Sequence, residues 1–461
     1  MTFPAYPDYR DSGVEWLGVV PEHWGVKPLR YLGRFRKGLT ITKADLTDTG
    51  IPCLNYGEVH SLYPFEVNQD IQALKCVPAE YLETEPSSCI SYGDFVFADT
   101  SEDLEGVGNF THVSGLEPLF AGYHTIIYSL DSDVSSRFLA YYLESFAFRT
   151  QLRMGVKGVK VFSVTQEILR GGIACLPTTA EQTQIALFLD HETARIDALI
   201  EDQQRLIELL KEKRQVVISK AVTKGLDPAV PMKDSGVEWL GDVPAHWVVS
   251  KFGYISSVVR GGSPRPAGDP ELFNGDYSPW VTVAEITKDD EIYLDETETF
   301  LTKKGSDQCR VFSKGTLLLS NSGATLGVPK ILMIDANAND GVVGFENISL
   351  DKEYSYLYLA TLTEGLRDRA AGSGQPNLNT DIVKSIYVPI PPSNEVSEIV
   401  AAVKKLRAQF TFLSKEAVEG IRLLQERRSA LISAAVTGKI DVRGWQSPVS
   451  APSPELVEEA V

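Results

Sequence analysis

The sequence predicts an α+β protein in which two globular domains are separated by two long helices that pair with each other, all of it built as an internal repeat. Three observations predict this. The string Asp11-Ser-Gly-Val-Glu-Trp-Leu-Gly18 returns at Asp234, and the match runs on to His23-Trp24 and His246-Trp247 with twelve of fourteen positions identical. A second echo closes each copy, Leu209 through Asp227 facing Leu423 through Asp441 with ten of nineteen identical. Leading into and through that second echo, apolar residues recur in alternating steps of three and four, the mark of a helix whose narrow seam needs a partner helix. A chain alike at the edges of its copies and divergent in their middles is a constant frame carrying two different specificities.

In chain order, residues 1–24 are the first constant segment and 25–178 the first globular block, which mixes short β-rich runs (Phe95-Val96-Phe97, Thr125 to Tyr128) with turn residues and a late amphipathic helix, Ser136 to Arg149. Pro177 ends that block, and 179–224 reads as one helix whose seam is Ile185, Leu189, Ile196, Leu199, Leu206, Leu210 and Val217, with Glu192, Gln203 and Lys213 in the missing places. Residues 225–247 repeat the constant segment, and 248–391 form the second block, with Thr316 to Leu319, Lys330 to Ile334 and the helix Tyr354 to Ala370. Pro391-Pro392 stop it, and the helix of 392–437 follows with seam residues Ile399, Val403, Leu406, Phe410, Leu413, Ala417, Gly420, Leu424 and Leu431, Gly420 being the weak point. Each helix of about 40 residues is near 60 Å long, and the economical partner for each is the other. The tail of 438–461 is Pro/Ser-rich after Gly444 and reads as disordered after 445.

Hydrophobic residues at 43% and charged residues at 23% are ordinary for a soluble globular protein. No apolar run is long enough for a membrane span and Met1 to Tyr9 has no signal-peptide character, which points to a cytoplasmic protein. The five cysteines are far apart and never in a Cys-x-x-Cys pair, so neither a disulfide framework nor a zinc knuckle is expected. A net charge of −18 means that any contact with nucleic acid needs locally concentrated Lys and Arg.

Catalytic motifs are absent from the sequence. The nearest approach to a phosphate loop, Gly323-Ala-Thr-Leu-Gly327-Val-Pro-Lys330, has the wrong spacing and a proline where amides should converge. No Gly-x-Gly-x-x-Gly follows a strand, and no Asn-Pro-Pro-Tyr/Phe string exists to hold a flipped base. The six histidines are scattered, with His23 and His246 inside the repeat as frame residues, and no metal set is expected. Binding features stand instead at matching places in the two blocks. Arg34, Arg36, Lys37 and Thr40 face Arg260, Ser263 and Arg265; Thr100-Ser101 faces Asn321-Ser322; and the acid-free stretch of Arg149, Arg153, Lys157 and Lys160 faces Ser373, Gln375 and Asn377. Lys and Arg suit phosphates, while Ser, Thr, Asn and Gln suit base edges. Trp16, Trp24, Trp239 and Trp247 lie in the constant frame and are assigned to packing or partner contacts.

These residues resemble the specificity subunit of a type I restriction-modification enzyme. The doubled Asp-Ser-Gly-Val-Glu-Trp-Leu-Gly-x-Val-Pro-x-His-Trp carries the resemblance, together with Ala180-Glu-Gln-Thr-Gln-Ile185 leading to Leu210-Lys-Glu-Lys-Arg214 and Ala221-Val-Thr-Lys-Gly225-Leu-Asp227. It spans essentially the whole chain before the tail. The resemblance implies that the blocks are target-recognition domains, each reading half of a split double-stranded DNA sequence, and that the helices pair antiparallel as a coiled-coil ruler. If the half-site centres lie about one DNA turn, roughly 34 Å, apart, both domains reach one face of the duplex. It further implies a non-catalytic chain that binds no cofactor itself. Two modification (methyltransferase) subunits would bring S-adenosylmethionine, and restriction (translocase/endonuclease) subunits would bring ATP and Mg. A protein-binding scaffold and a stand-alone DNA-binding protein with the same frame are the alternatives the residues leave open. The second helix departs from the pattern by opening Asn394-Glu395-Val396, so its end need not dock a partner as the first does.

Overall fold

The computed structural model describes residues 3–158, 160–323, 325–370 and 377–447. They form two compact units, one of residues up to Gln203 together with those from Glu419 onward, the other of Gln204–Val418. The sequence blocks treat each long helix as a separate element. In the structure the central helix Thr179–Lys224 and the C-terminal helix Ser393–Val436 are instead each divided between the units.

In the first unit the start of the central helix shares a core with the end of the C-terminal helix, Ile185 and Leu189 with Ile432, Ala435 and Val436. Further along, Asp197 accepts from Arg428 Nε at 2.8 Å, so the two helices run antiparallel within this unit. In the second unit Ile218 and Val222 share a core with Val396, Ile399, Val400 and Val403, again end against start. Among the residues assigned to the seam, Ile185, Leu189, Ile196, Ile399 and Val403 are buried, while Leu210, Val217, Leu406, Phe410, Leu424 and Leu431 are half-buried. Leu199 and Leu206, each 42% exposed, and Leu413 at 48% depart from the expectation, because a two-helix seam covers one side only.

Each unit carries the same pair of sheets. In the first, a five-stranded sheet runs in the order Gly33–Lys37, Thr125–Leu130, Phe95–Ala98, Phe110–Val113, Phe65–Val67, beside a four-stranded sheet Cys76–Val77, Ile51–Leu54, Leu119–Ala121, Cys89–Ile90. In the second the orders are Ser257–Arg260, Val342–Glu346, Leu317–Ser320, Pro329–Leu332, Tyr293–Leu294 and Phe300–Leu301, Phe273–Val281, Ala336–Ala338, Val311–Phe312. The parallel pairings fall at the same places in both. The repeat therefore runs through the divergent middles as well.

The central strands explain how these sheets are held. Phe95-Val96-Phe97-Ala98 is buried on both faces, and its alternation sends Phe95 and Phe97 to the core beside the long helices and Val96 and Ala98 to the core between the sheets. Leu317 and Leu319 divide from Leu318 in the same way. A helix capped by Ser135, Ser136–Glu144, lies between the first domain's large sheet and the central helix, and its counterpart Lys352–Thr361 is capped by Asp351.

The polar contacts of these two helices are mirror images in charge. Arg137 joins Glu66 of the sheet edge at 2.6 Å to Asp190 of the central helix at 2.7 Å. In the second unit the acid is in the middle: Glu353 accepts from Tyr293 of the sheet edge and from Lys404 of the C-terminal helix, the latter at 2.6 Å. His112, on the strand beside Glu66, is buried near Arg137 with neither ring nitrogen hydrogen-bonded.

The repeated string builds the same small hairpin twice, Tyr9–Asp11 on Val19–Pro21 and Met232–Asp234 on Asp242–Pro244. Its residue types are required locally. Asp11 and Asp234 each accept from the amide of Gly13 or Gly236 at 2.9 Å, and those glycines stand at φ of 74° and 70°. Trp24 and Trp247 are buried, their carbonyls bound by Arg10 and Lys233. His23 and His246 lie 2.8 and 2.7 Å from Glu181 and Glu395. Each long helix ends near a glycine in the left-handed region, Gly225 at 78° and Gly438 at 71°. A Cβ there would meet the Trp247 ring at 3.4 Å or Pro21 at 2.3 Å. The segment after the C-terminal helix stays packed as far as Trp445, whose ring meets Phe188 edge-on at 5.4 Å. Residues 448–461 lie outside the described residues.

Two outcomes follow for the first unit. Arg137→Ala leaves two carboxylates facing each other and is expected to cost about 2–3 kcal/mol in chemical unfolding. Arg137→Glu costs more, and adding Asp190→Lys to reproduce the second unit's polarity recovers part of the loss; a double change no better than the single one refutes the pairing. Burial first and Arg137 second push the His112 imidazole down to about 4. Between that value and the ordinary value of about 6.5 the unfolded chain binds the proton and the folded one does not, so stability is lost as pH falls through this window, by up to about 3 kcal/mol. His112→Phe is expected to flatten the urea-unfolding stability between pH 6.5 and 4.5; an unchanged slope counts against it.

Candidate nucleic-acid interface

The loops singled out by sequence come together within each domain. In the first, Lys37 and Thr40 line a cleft of about 570 Å³ together with Asp99, His124 and the segment Ser163–Glu167. Thr100-Ser101 pairs antiparallel with Phe162–Ser163, which sets Thr100 beside the chain that carries Lys157 and Lys160. Both lysines are exposed, and no ion pair engages them among the described residues. Arg34 is exposed too but lies farther back on its strand, 2.8 Å from Asp131.

Three expected contacts in this domain are corrected. Arg36 spends its guanidinium inside the domain, on the carbonyls of Ser87 (2.6 Å) and Cys89 (3.1 Å) and on Ser129 Oγ (2.8 Å), because its strand carries it toward the segment that precedes Cys89. Ser101 is fully buried, its hydroxyl donating to Asp103 O at 2.7 Å to turn the following loop. Arg153 is half-buried on the acidic loop, donating to Glu105 O at 2.9 Å, and burial and then Arg149 lower its pKa.

The second domain converges through one loop, Asn339-Asp340-Gly341. Ser263 donates to Asp340 Oδ1 at 2.7 Å and Arg260 Nε to Asp340 O at 2.6 Å. The Ser263 hydrogen bond holds the Asp340 carboxyl below its ordinary range. The Asn321 amide donates to the carbonyl of Gly341 at 2.9 Å, and Ser322 bridges backbone to backbone with Asn377. Arg265 and Asn377 are exposed, and Ser322 is half-exposed. Asn321 is the correction here: it is fully buried, and its side chain donates to Leu378 O at 3.1 Å, so it anchors the Asn377 segment and has no surface to offer a ligand. Ser373 and Gln375 lie outside the described residues.

Sequence reasoning passed over His124 and Asp340. His124 stands at φ 56° on the cleft wall with Nδ1 3.2 Å from Asp99, a place that its position just before a strand did not reveal. Asp340 sits in an Asn-Asp-Gly turn, a signal that marks a turn without saying which loops it will gather. Among the described residues there is no cluster of His, Cys, Asp and Glu suited to a metal ion, and no helix long and apolar enough to cross a membrane.

The fold and these loops define a duplicated two-domain recognition protein, whose domains share one topology and present different cations, hydroxyls and amides at corresponding places. Residues 244–419 match the type I restriction modification DNA specificity domain. The MjaIX type I restriction enzyme specificity subunit of Methanocaldococcus jannaschii is 31% identical over 172 residues, which span 36% of this chain and 38% of that protein. The StySPI specificity subunit of Salmonella potsdam is 21% identical over 458 residues, 95% of this chain and 93% of its own. A chain in a solved structure that addresses complex assembly and conformational transition of the type I restriction-modification system has the same fold, with a TM-score of 0.68 at 16% identity over 90% of this chain and 98% of that one. Across these comparisons the chain is similar to type I restriction enzyme specificity subunits, over residues 244–419 in the family model and along nearly its whole length at 21% identity.

The corrections separate anchors from surface residues. Asn321→Ala is expected to lower stability by about 1–3 kcal/mol, since it strips the carbonyl of Leu378 of its buried donor, while Lys157→Ala stays within about 0.5 kcal/mol of the parent. Thermal unfolding of the two variants checks this, and equal midpoints would contradict the placement.

Proposed function

We propose that this chain is the DNA-reading subunit of a type I restriction-modification complex, with each domain reading one half of an asymmetric split target. One observation carries the reading. The two domains have the same sheet order, yet at corresponding places the described residues offer Lys37, Thr40, Lys157 and Lys160 in one domain and Ser263, Arg265 and Asn377 in the other. A shared scaffold with unlike contact groups suits two unlike half-sites on one duplex. Lysines and arginines would position each domain on phosphates, and Thr40, Ser263 and Asn377 would read base edges. The chain supplies no chemistry in this reading. Methyl transfer from S-adenosylmethionine to the target belongs to modification subunits docked on the constant frame, and ATP-driven, Mg-dependent cleavage belongs to restriction subunits. The alternative of a protein-binding scaffold has no observation in its favour that the DNA reading lacks.

Mapping methylated adenines in a genome with and without this chain tests the reading directly. The expected result is one bipartite, non-palindromic motif that disappears with the chain; a continuous palindrome, or no change, overturns it. In binding titrations with the reconstituted methyltransferase, Lys157→Ala and Lys160→Ala are expected to weaken all sequences alike and to lower the salt slope by about 1 each. Asn377→Ala should instead relax the preference at one target position, by about 1–3 kcal/mol.

A further inference from the structure

The two copies of the frame close differently, and the difference leaves a vacant seat in the second unit. In the first unit the helix end and the hairpin belong to separate stretches of chain. The C-terminal helix runs out through Gly438 to Trp445, and the lead-in to the hairpin lies alongside it, the amide of Asp441 donating to Pro4 O at 2.7 Å. Between them they fill the space beside Glu181. Arg443 binds Asp441 at 2.6 Å, stands 4.9 Å over the Tyr6 ring and approaches Glu181 to 4.0 Å. Trp445 packs on Phe188, and its carbonyl accepts from Gln184 at 2.7 Å.

In the second unit one short connector, Gly225 to Pro231, performs both tasks. By the register of the second echo Asp441 corresponds to Asp227, Arg443 to Ala229 and Trp445 to Pro231, while on the helix Glu181 corresponds to Glu395 and Gln184 to Glu398. The acids have been kept, and one has been added. The cation and the aromatic ring that cover them in the first unit are missing. What remains is a pocket of about 230 Å³ whose walls include Asp227, Glu395, Glu398, Leu226, Val230 and Ile399. Leu226 is 47% exposed, and Glu398 is exposed. Lys224 also lines the pocket, with its ammonium 3.5 Å from the carbonyl of Asp242.

We propose that this pocket seats an arginine of a partner subunit, carried beside an aromatic side chain, in the pose that Arg443 and Trp445 take in the first unit. Charge and shape favour that occupant. Asp227 and Glu398 line a cavity with apolar walls beside Glu395, whose oxygens accept from His246 and the Trp247 indole, and a guanidinium with an adjoining ring suits both carboxylates and walls, as Arg443 and Trp445 do beside Glu181 in the first unit. The chain's own end beyond Ser447 does not qualify, since its charged residues are Glu455, Glu458 and Glu459. The consequence is an assembly with unequal ends: the second unit admits the partner's arginine, and in the first the seat is already taken. This rests on the reading of the chain as a subunit of a larger complex, and it concerns the frame alone.

A labelled peptide with the sequence of residues 438–447 is the probe, titrated into the full chain without DNA or methyl donor. Saturable one-to-one binding is expected, weakened at least about tenfold by replacing the peptide's arginine with alanine and by Glu398→Lys in the protein. Glu398 is exposed, and among the described residues no hydrogen bond or ion pair engages it, so the variant's unfolding midpoint should match the parent's and certify that it is folded. The proposal is overturned by the absence of saturable binding up to about 1 mM, by binding indifferent to Glu398→Lys, or by preference for a peptide of residues 448–461. Because no DNA is present, failure here leaves the split-target reading standing, and failure of the methylation map leaves the pocket standing.

Discussion

Two helices joined along a narrow stripe bury little apolar surface per turn, and here Leu199, Leu206 and Leu413 on the stripe stay substantially open to solvent. The stripe alone is therefore a weak fastening, and the firm one is the buried tryptophan at each helix end. Trp24 and Trp247 are almost wholly removed from water, which is worth about 4–6 kcal/mol of transfer free energy for a ring of this size. Glycines that tolerate the left-handed turn let each helix end run close to the ring or its hairpin, and Glu395 accepts from the Trp247 indole at 2.9 Å as well as from His246. In each unit the hairpin, the start of one helix and the end of the other meet at this point. A change at either ring would loosen all three.

On this frame the recognition domains are attached by a different kind of contact. The helices Ser136–Glu144 and Lys352–Thr361 both press an apolar face on the large sheet, a contact that is non-directional and would accept either domain. The polar clamps do discriminate. An arginine between two acids in one unit, and an acid between a tyrosine and a lysine in the other, mean that a domain moved to the other site would bring Arg137 to Lys404 or Glu353 to Asp190. Like charges at that distance are costly enough to disfavour the exchange. Apolar burial thus supplies the holding energy in both units, and charge determines which domain belongs where.

How much of this was legible in the sequence depended on how far each residue's partner lay along the chain. The repeated Asp-Ser-Gly was readable because Asp11 bonds Gly13 and Ser12 bonds Val14, partners within the same turn. The long helices were readable from their period, and the loops could be paired by their place in the two copies. Arg36, Ser101 and Asn321 were misassigned because a polar residue in a loop looks alike whether it faces solvent or a backbone carbonyl. For Arg36 and Asn321 those carbonyls belong to Ser87 and Leu378, more than fifty residues away in each case. The charge-reversed clamps were invisible for the same reason, since Arg137 and Asp190 share no local pattern. Nor could periodicity show that each long helix is divided between two units, because that division follows from which core each end enters.

The acidic balance of the chain bears on the proposed function through the cations it leaves available. Against 62 acidic residues there are 44 Lys and Arg, and many of these are committed internally. Arg36, Arg137, Arg149 and Arg310 are bound within their domains, and Lys330 is buried on Asp289 and the carbonyl of Glu291. Phosphate affinity scales with the number of cations that displace counterions, so loops that present Lys37, Lys157 and Lys160 have a small electrostatic hold on DNA. The rest of an acidic body repels the duplex. Both effects reduce binding to every sequence equally, whereas contacts from Thr40, Ser263 or Asn377 to base edges favour only the correct one. Discrimination is a ratio of specific to non-specific binding, and suppressing the second term raises it as effectively as strengthening the first. In an assembly whose other subunits bring their own cations, the reader can afford weak binding, and its negative charge becomes part of how it selects.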